Sequence, residues 1–256
     1  RNASKVALQK ACDFAMVFDS RITVIFVSSV ASDEFRDSKK YLEDFALSKG
    51  LSITNIDVIG RFYDEVVRFH KKADYSLIIL GTQPMSCWSP FWKKSKVFKV
   101  INSTSCPVLS VKTNAESLGL NSILLPFEDS LTTPQKVPYC AEIAKRFGAT
   151  VHILGTSKRE AYEAQNRVQS YVRQAERFFV QRGIKYTVQT DFGLNVPAKI
   201  LSYSKEVKAG LVLIMADTES TGVFQKRCLE ELVDQSEAPI MVVHSKDTRI
   251  TESSGY

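Results

Sequence analysis

The sequence predicts an α/β protein of two doubly wound domains, each a five-stranded parallel sheet with helices on both faces. Three observations point there. Matched landmarks recur in the same order in the two halves of the chain, short apolar runs alternate with amphipathic helical stretches, and Leu211-Val212-Leu213-Ile214-Met215 is apolar throughout. A continuous apolar run of strand length is what a strand buried on both faces of a parallel sheet requires.

The landmarks are Phe18, Lys49-Gly50, Gly60, Thr82 and Pro107 in the first half, and Phe147, Arg182-Gly183, Gly193, Thr218 and Pro239 in the second. The two glycines stand ten residues apart in both halves. A repeat this long is a duplicated folding unit rather than a solenoid module. The expected domains are residues 1–113 and 119–247, joined by the polar stretch from Thr113 to Gly119.

In the second half, Ser122 to Phe127 reads as a buried strand that runs into the polar loop Glu128-Asp129-Ser130. Thr132, Thr133 and Pro134 are helix-start signals, with Pro138 cutting across them, and Val137, Ala141, Ala144 and Phe147 recur at a helical interval up to Gly148. Thr150 to Leu154 is a second strand. Val168, Tyr171, Val172, Ala175, Phe178 and Phe179 mark one face of a long helix stopped by Gly183. Ile184 to Thr190 alternates at period two, as a strand with one more exposed face at a sheet edge would. A short helix through Ile200 and Leu201, the strand Leu211 to Met215, a helix through Leu229, Leu232 and Val233, and a last strand from Pro239 to Val243 complete five strands and four helices.

The first half repeats this plan without its opening strand. Helix positions Ala7, Ala11, Phe14, Ala15 and Phe18 come at once, and strands follow at Ile22 to Val27, Leu51 to Ile59, Ser76 to Leu80 and Pro107 to Val111. By the repeat Ser4 stands opposite Thr133, so the absent strand would lie just before Arg1.

Composition narrows the function classes. The 256 residues are 44% hydrophobic, enough for two cores. No apolar run reaches bilayer-spanning length and no signal pattern opens the chain, so a cytoplasmic protein is expected. Five dispersed cysteines contain no C-x-x-C pair, which argues against a zinc site or a disulfide framework. The net charge of +6 lies wholly in the first half, which carries seventeen Lys/Arg against eleven Asp/Glu up to residue 113. No nucleic-acid-binding signature accompanies it, so it reads as solvated surface charge. His70, His152 and His244 are isolated and read as structural; no G-x-S-x-G elbow is present.

The segments Ile123-Leu124-Leu125-Pro126-Phe127-Glu128-Asp129-Ser130, Ala73-Asp74-Tyr75-Ser76-Leu77-Ile78-Ile79-Leu80-Gly81-Thr82, Cys106-Pro107-Val108-Leu109-Ser110-Val111 and Ala238-Pro239-Ile240-Met241-Val242-Val243, taken in order, resemble the tandem form of the universal stress protein family. The resemblance implies sheets of the adenine nucleotide α-hydrolase-like class with strand order 3-2-1-4-5. It also implies pairing of domains through their fifth strands, here Val108 to Val111 and Ile240 to Val243, within one chain or in a homodimer.

Many members of that family bind ATP through a loop after strand four, patterned G-x-x-G, nine residues, then G-S or G-T. Glycines there let backbone N–H groups approach phosphates. This chain departs from the pattern. The first half has Gly81-Thr82-Gln83-Pro84, then Trp88, Phe91 and Trp92, then Lys94-Ser95. The second has Asp217-Thr218-Glu219-Ser220 and Lys226-Arg227. Only Gly81 and Ser95 survive in the first, and acidic side chains that repel a triphosphate stand in the second. Opposite the family's strand-one Asp, which meets the nucleoside, stands Glu128. The residues that would touch a bound nucleotide are therefore Gly81, Thr82, Ser95 and Glu128.

Cys87-Trp88-Ser89-Pro90-Phe91-Trp92 holds both tryptophans of the chain. It reads as a loop packed over the sheet, as a plug in its own pocket, as a partner patch or as a base-stacking platform. The nucleotide-transfer signatures of this fold class, S-G-G-x-D-S, H-I-G-H and K-M-S-K-S, do not occur. The expectation is a noncatalytic stress-response or regulatory protein that dimerises and binds partners, with no metal and no required cofactor. An ATP-binding sensor or weak ATPase using the first domain is the alternative.

Overall fold

The computed structural model describes residues 2–29, 35–82, 96–115, 119–158, 161–216 and 223–245. The chain divides into two compact units, one of Arg1–Gly119 with Val233–Met241, the other starting at Leu120, running to Leu232 and resuming at Val242.

The second half of the chain holds strands β5 (Ser122–Phe127), β6 (Thr150–Ser157), β7 (Tyr186–Phe192), β8 (Leu211–Ala216) and β9 (Ile240–His244), with helices α5 (Val137–Phe147), α6 (Tyr162–Gln181), α7 (Val196–Glu206) and α8 (Val223–Gln235) between them. The strands run β7-β6-β5-β8-β9, and the ladders of β5 with β6, β6 with β7 and β5 with β8 are parallel. Right-handed crossovers put α5 and α6 on one face of such a sheet and α7 and α8 on the other. The central strand β5 buries every residue from Ile123 to Phe127, and β8 is buried from Leu211 to Ile214. Along α6, Ala164, Val168, Val172, Ala175 and Phe179 form the buried stripe, and Tyr171 and Phe178 of the expected face are half-buried at its margins.

Two local departures have plain causes. Pro134 and Pro138 divide the first helical stretch into a 3-10 turn, Thr133–Lys136, and then α5. Proline is accommodated in a helix's first turn and nowhere deeper. The strand expected to expose one face, β7, has Thr187 to Asp191 exposed on both, because it ends the sheet.

The first unit opens with α1 (Asn2–Phe18), followed by β1 (Ile22–Ser28), α2 (Arg36–Ser48), β2 (Ile53–Ile59), α3 (Phe62–Lys72), β3 (Ile78–Thr82), α4 (Lys96–Ser103) and β4 (Val108–Lys112). Its strands form two parallel pairs, β1 with β2 from Ile22 opposite Ile53, and β3 with β4 from Ile78 opposite Val108. Among the described residues no strand bridges β1 and β3, where the repeat places the absent opening strand. The helix α1 packs instead against β1, β3 and β4. Leu8, Cys12, Phe26, Leu42 and Ala46 form a core between α1, β1 and α2.

Candidate functional site

Doubly wound sheets take ligands in the crevice beyond the carboxyl ends of the strands, where the winding reverses. In the second unit that crevice lies between β5 and β8. Ser122 accepts the Gly210 N–H at 2.8 Å, so Ser122, Leu124 and Pro126 turn their backbone polar groups toward β8. Pro126 has no N–H to give. The β5–β8 ladder accordingly registers only Ile123 and Leu124, whereas β5 stays paired with β6 as far as Phe127 opposite Gly155.

Beyond β5 the chain turns back on itself. Ser130 Oγ lies 3.0 Å from Thr132 Oγ1, and Thr133 donates its N–H to the Ser130 carbonyl at 3.2 Å, which turns the 3-10 segment back onto β8 and α6. Lys136 ends that segment at 2% exposure, with Nζ 5.4 Å from the centre of the Phe127 ring. Burial pushes its ammonium down to about 8, opposed by the Glu128 carboxylate and then by Cys140. Glu128 is thus the counter-charge of a buried lysine. The Cys140 and Cys228 thiols are both pushed up by burial, and Glu128 and Glu231 add to the effect at Cys228. Thiols held protonated in this way are not nucleophiles. At the rim, Asp129 pairs with Arg167 of α6.

In the first unit, Gly81 lies in β3 with the first turn of α1 directly over it. A Cβ there would stand 2.3 Å from the Ala3 carbonyl oxygen and 2.6 Å from its carbon. The missing side chain is therefore required by the backbone of this same chain. Thr82 Oγ1 donates to the Val111 carbonyl at 3.3 Å, across the β3–β4 ladder. Ser95, Pro84, Trp88, Trp92 and the segment Asp217 to Ser220 lie outside the described residues, as do the side chains of Lys226 and Arg227. Gly81 and Thr82 sit together in one unit and Glu128 in the other.

The buried lysines escaped the sequence reading. Besides Lys136, Lys10 of α1 is 2% exposed, with Nζ 3.7 Å from Asp13 Oδ2. Burial pushes the Asp13 carboxyl up while Lys10 and Lys49 pull it down. A signal existed in each case, since Val6, Lys10 and Phe14, like Lys136, Cys140 and Ala144, follow one another at i, i+4 along a buried face.

Two of the histidines, His70 and His152, tie elements together. His70 Nε2 accepts the Ser105 N–H at 3.1 Å, and Nδ1 is 3.6 Å from Cys106 Sγ, joining α3 to the entry of β4. His152 Nδ1 lies 2.8 Å from Thr187 Oγ1, between β6 and β7. Among the described residues no three His, Cys, Asp or Glu side chains gather as metal ligands, and no helix is long and apolar enough to cross a membrane.

No protein-family model matches the sequence, and no curated protein matches it. Solved structures do. A universal stress protein from Archaeoglobus fulgidus DSM 4304 superposes with a TM-score of 0.73 at 19% identity, covering 95% of this chain and 95% of its own. A functionally unknown protein from Pseudomonas aeruginosa PAO1 superposes with a TM-score of 0.68 at 17% identity, covering 94% of this chain and 88% of its own. The chain has the α/β fold of the universal stress proteins, extending over nearly its whole length.

Proposed function

We propose that this chain is a noncatalytic universal stress protein of the tandem kind, which acts in stress response or regulation by binding protein partners rather than by turning over a nucleotide. The observation that carries the reading lies beyond the end of β5 in the second unit, where Lys136, at 2% exposure, packs against Phe127 with Glu128 as its counter-charge. A nucleoside entering there would have to displace a buried lysine and strip Glu128 of that partner, a cost of several kcal/mol before any contact is gained. In the first unit Gly81 accommodates the backbone of Ala3 and Thr82 is bonded within the sheet, which leaves both with structural duties. Pairing through the fifth strands and a cytoplasmic location belong to the same proposal.

The test is a calorimetric titration of the full chain with ATP, with and without magnesium. The expected result is no saturable binding up to about 1 mM. Saturable binding with Kd below roughly 100 μM would overturn the reading in favour of an ATP-binding sensor.

A further inference from the structure

The strand β7 ends its sheet, and its hydrogen-bonding directions are fixed. Lys185 accepts the Val151 N–H and Gly193 donates to Ser157, so the odd-numbered residues turn their backbone groups toward β6. Tyr186, Val188 and Thr190 turn theirs outward, where among the described residues they meet no partner. This bare run is bounded on both sides, for Ile184 donates to Phe179 and the Phe192 carbonyl accepts from Lys199.

Natural sheet edges are guarded by proline, a bulge or a charge in mid-strand. None guards β7. Its ladder with β6 is unbroken from Tyr186 to Phe192, Val188 at its middle is 41% exposed, and charge appears only toward the ends, at Lys185 and at Asp191, whose half-exposed carboxylate also holds Lys199 of α7 at 2.5 Å. The outer strand of the first unit's β1–β2 pair, β2, carries Asp57 nearer its middle, ion-paired to Lys39 as Asp191 is to Lys199. With no basic residue in β2, an antiparallel copy would leave Asp57 without a cross-strand cation in any register.

We propose that β7 is a self-pairing edge, on which two copies of the chain join antiparallel about a twofold axis through Val188. Outward groups must face outward groups, which restricts the twofold registers to those centred on Thr187, Val188 or Gln189. Only the Val188-centred register places Lys185 opposite Asp191 of the second copy, and symmetry does so twice. In it, Val188 meets its own mate and Tyr186 meets Thr190 as hydrogen-bonded pairs, giving six N–H···O bonds. Lys185 and Asp191 fall in non-hydrogen-bonded pairs, where side chains approach most closely. This pairing does not depend on the fate of the nucleotide crevice.

Sedimentation velocity and light scattering on the full chain should show a concentration-dependent dimer. K185D, which sets two carboxylates opposite each other on both sides of the axis, should weaken it roughly tenfold or more. D191K, which also ends the Asp191–Lys199 pair within the chain, should weaken it likewise, and an equimolar mixture of the two variants should restore a dimer, since each then supplies the charge the other lacks. A Cα separation of about 5.5 Å at the Val188 pair suits a disulfide, so V188C should cross-link under mild oxidation while T190C, out of register with its mate, should not. A chain that stays monomeric up to about 100 μM, a dimer indifferent to K185D, or equal cross-linking of V188C and T190C would overturn the proposal; the first result would assign the edge to a foreign strand.

Discussion

At the carboxyl end of its sheet each unit spends a distinctive residue on its own structure, but of a different kind. In the first unit it is a glycine whose missing side chain admits the backbone of α1; in the second it is a lysine buried beside Phe127 and Glu128. A close approach of two backbones leaves no freedom to adjust. A buried side chain is held by packing and electrostatics, so its contribution depends on solution conditions. The two units should therefore respond differently to substitution and to pH.

The largest expected effect is that of G81A. With Ala3 backbone atoms 2.3 and 2.6 Å from the new Cβ, α1 must shift as a body, at a cost of about 3 kcal/mol. Urea unfolding followed by far-UV dichroism measures it, and a loss under about 1 kcal/mol would mean that α1 does not rest on Gly81.

A nearly equal effect should come from pH in the second unit. The Lys136 ammonium titrates at about 8 when folded against an ordinary 10.5, so between those values the unfolded chain holds a proton that the folded chain has released. Stability therefore rises with pH across this window, by roughly 3 kcal/mol in total for this group. Below the folded value both states are protonated and the burial penalty is complete. Other groups titrate in the same range, so the measurement is the difference between wild type and K136M at pH 8 and pH 10. A difference that stays constant would refute the assignment.

G155A sharpens the contrast within one chemistry. Its Cβ would meet side chains, Thr190 Cγ2 at 3.1 Å, Val168 Cγ1 at 3.2 Å and Val172 Cγ2 at 3.3 Å, which can yield by small rotations. About 1 kcal/mol is expected, clearly less than for G81A in the same assay; equal losses would erase the distinction between backbone and side-chain contact. The smallest effect is that of R146A, which removes the i, i+4 partner of Glu142 on α5, both side chains being about half exposed. About 0.5 kcal/mol, fading in high salt, is expected from thermal melts at two salt concentrations.

Much of the fold was legible in the chain because burial on both faces leaves a strand no polar position, as in β5 and β8, and because helix periods name their own buried face, as in α6. The split of the first helical stretch was legible only in part, since Pro134 and Pro138 announce a disturbance without saying where the turn will land. The site was read less well. Lysine is a surface residue by default, so Lys10 and Lys136 passed unnoticed despite lying on buried helical faces. Gly81 was read for what a ligand would need of it, while the backbone of Ala3 and Ser4 stands against it.

Sequence alone determined the two-part α/β plan and the alternation of strand and helix, because these follow from local hydrophobic period and from the order of the landmarks. Tertiary structure decided what stands at the end of each sheet. Whether Pro126 parts β5 from β8, whether Lys136 turns inward toward Glu128, and which backbone groups of β7 turn away from β6 depend on the direction of hydrogen bonds between strands distant in sequence. That direction is set only when the strands come into register.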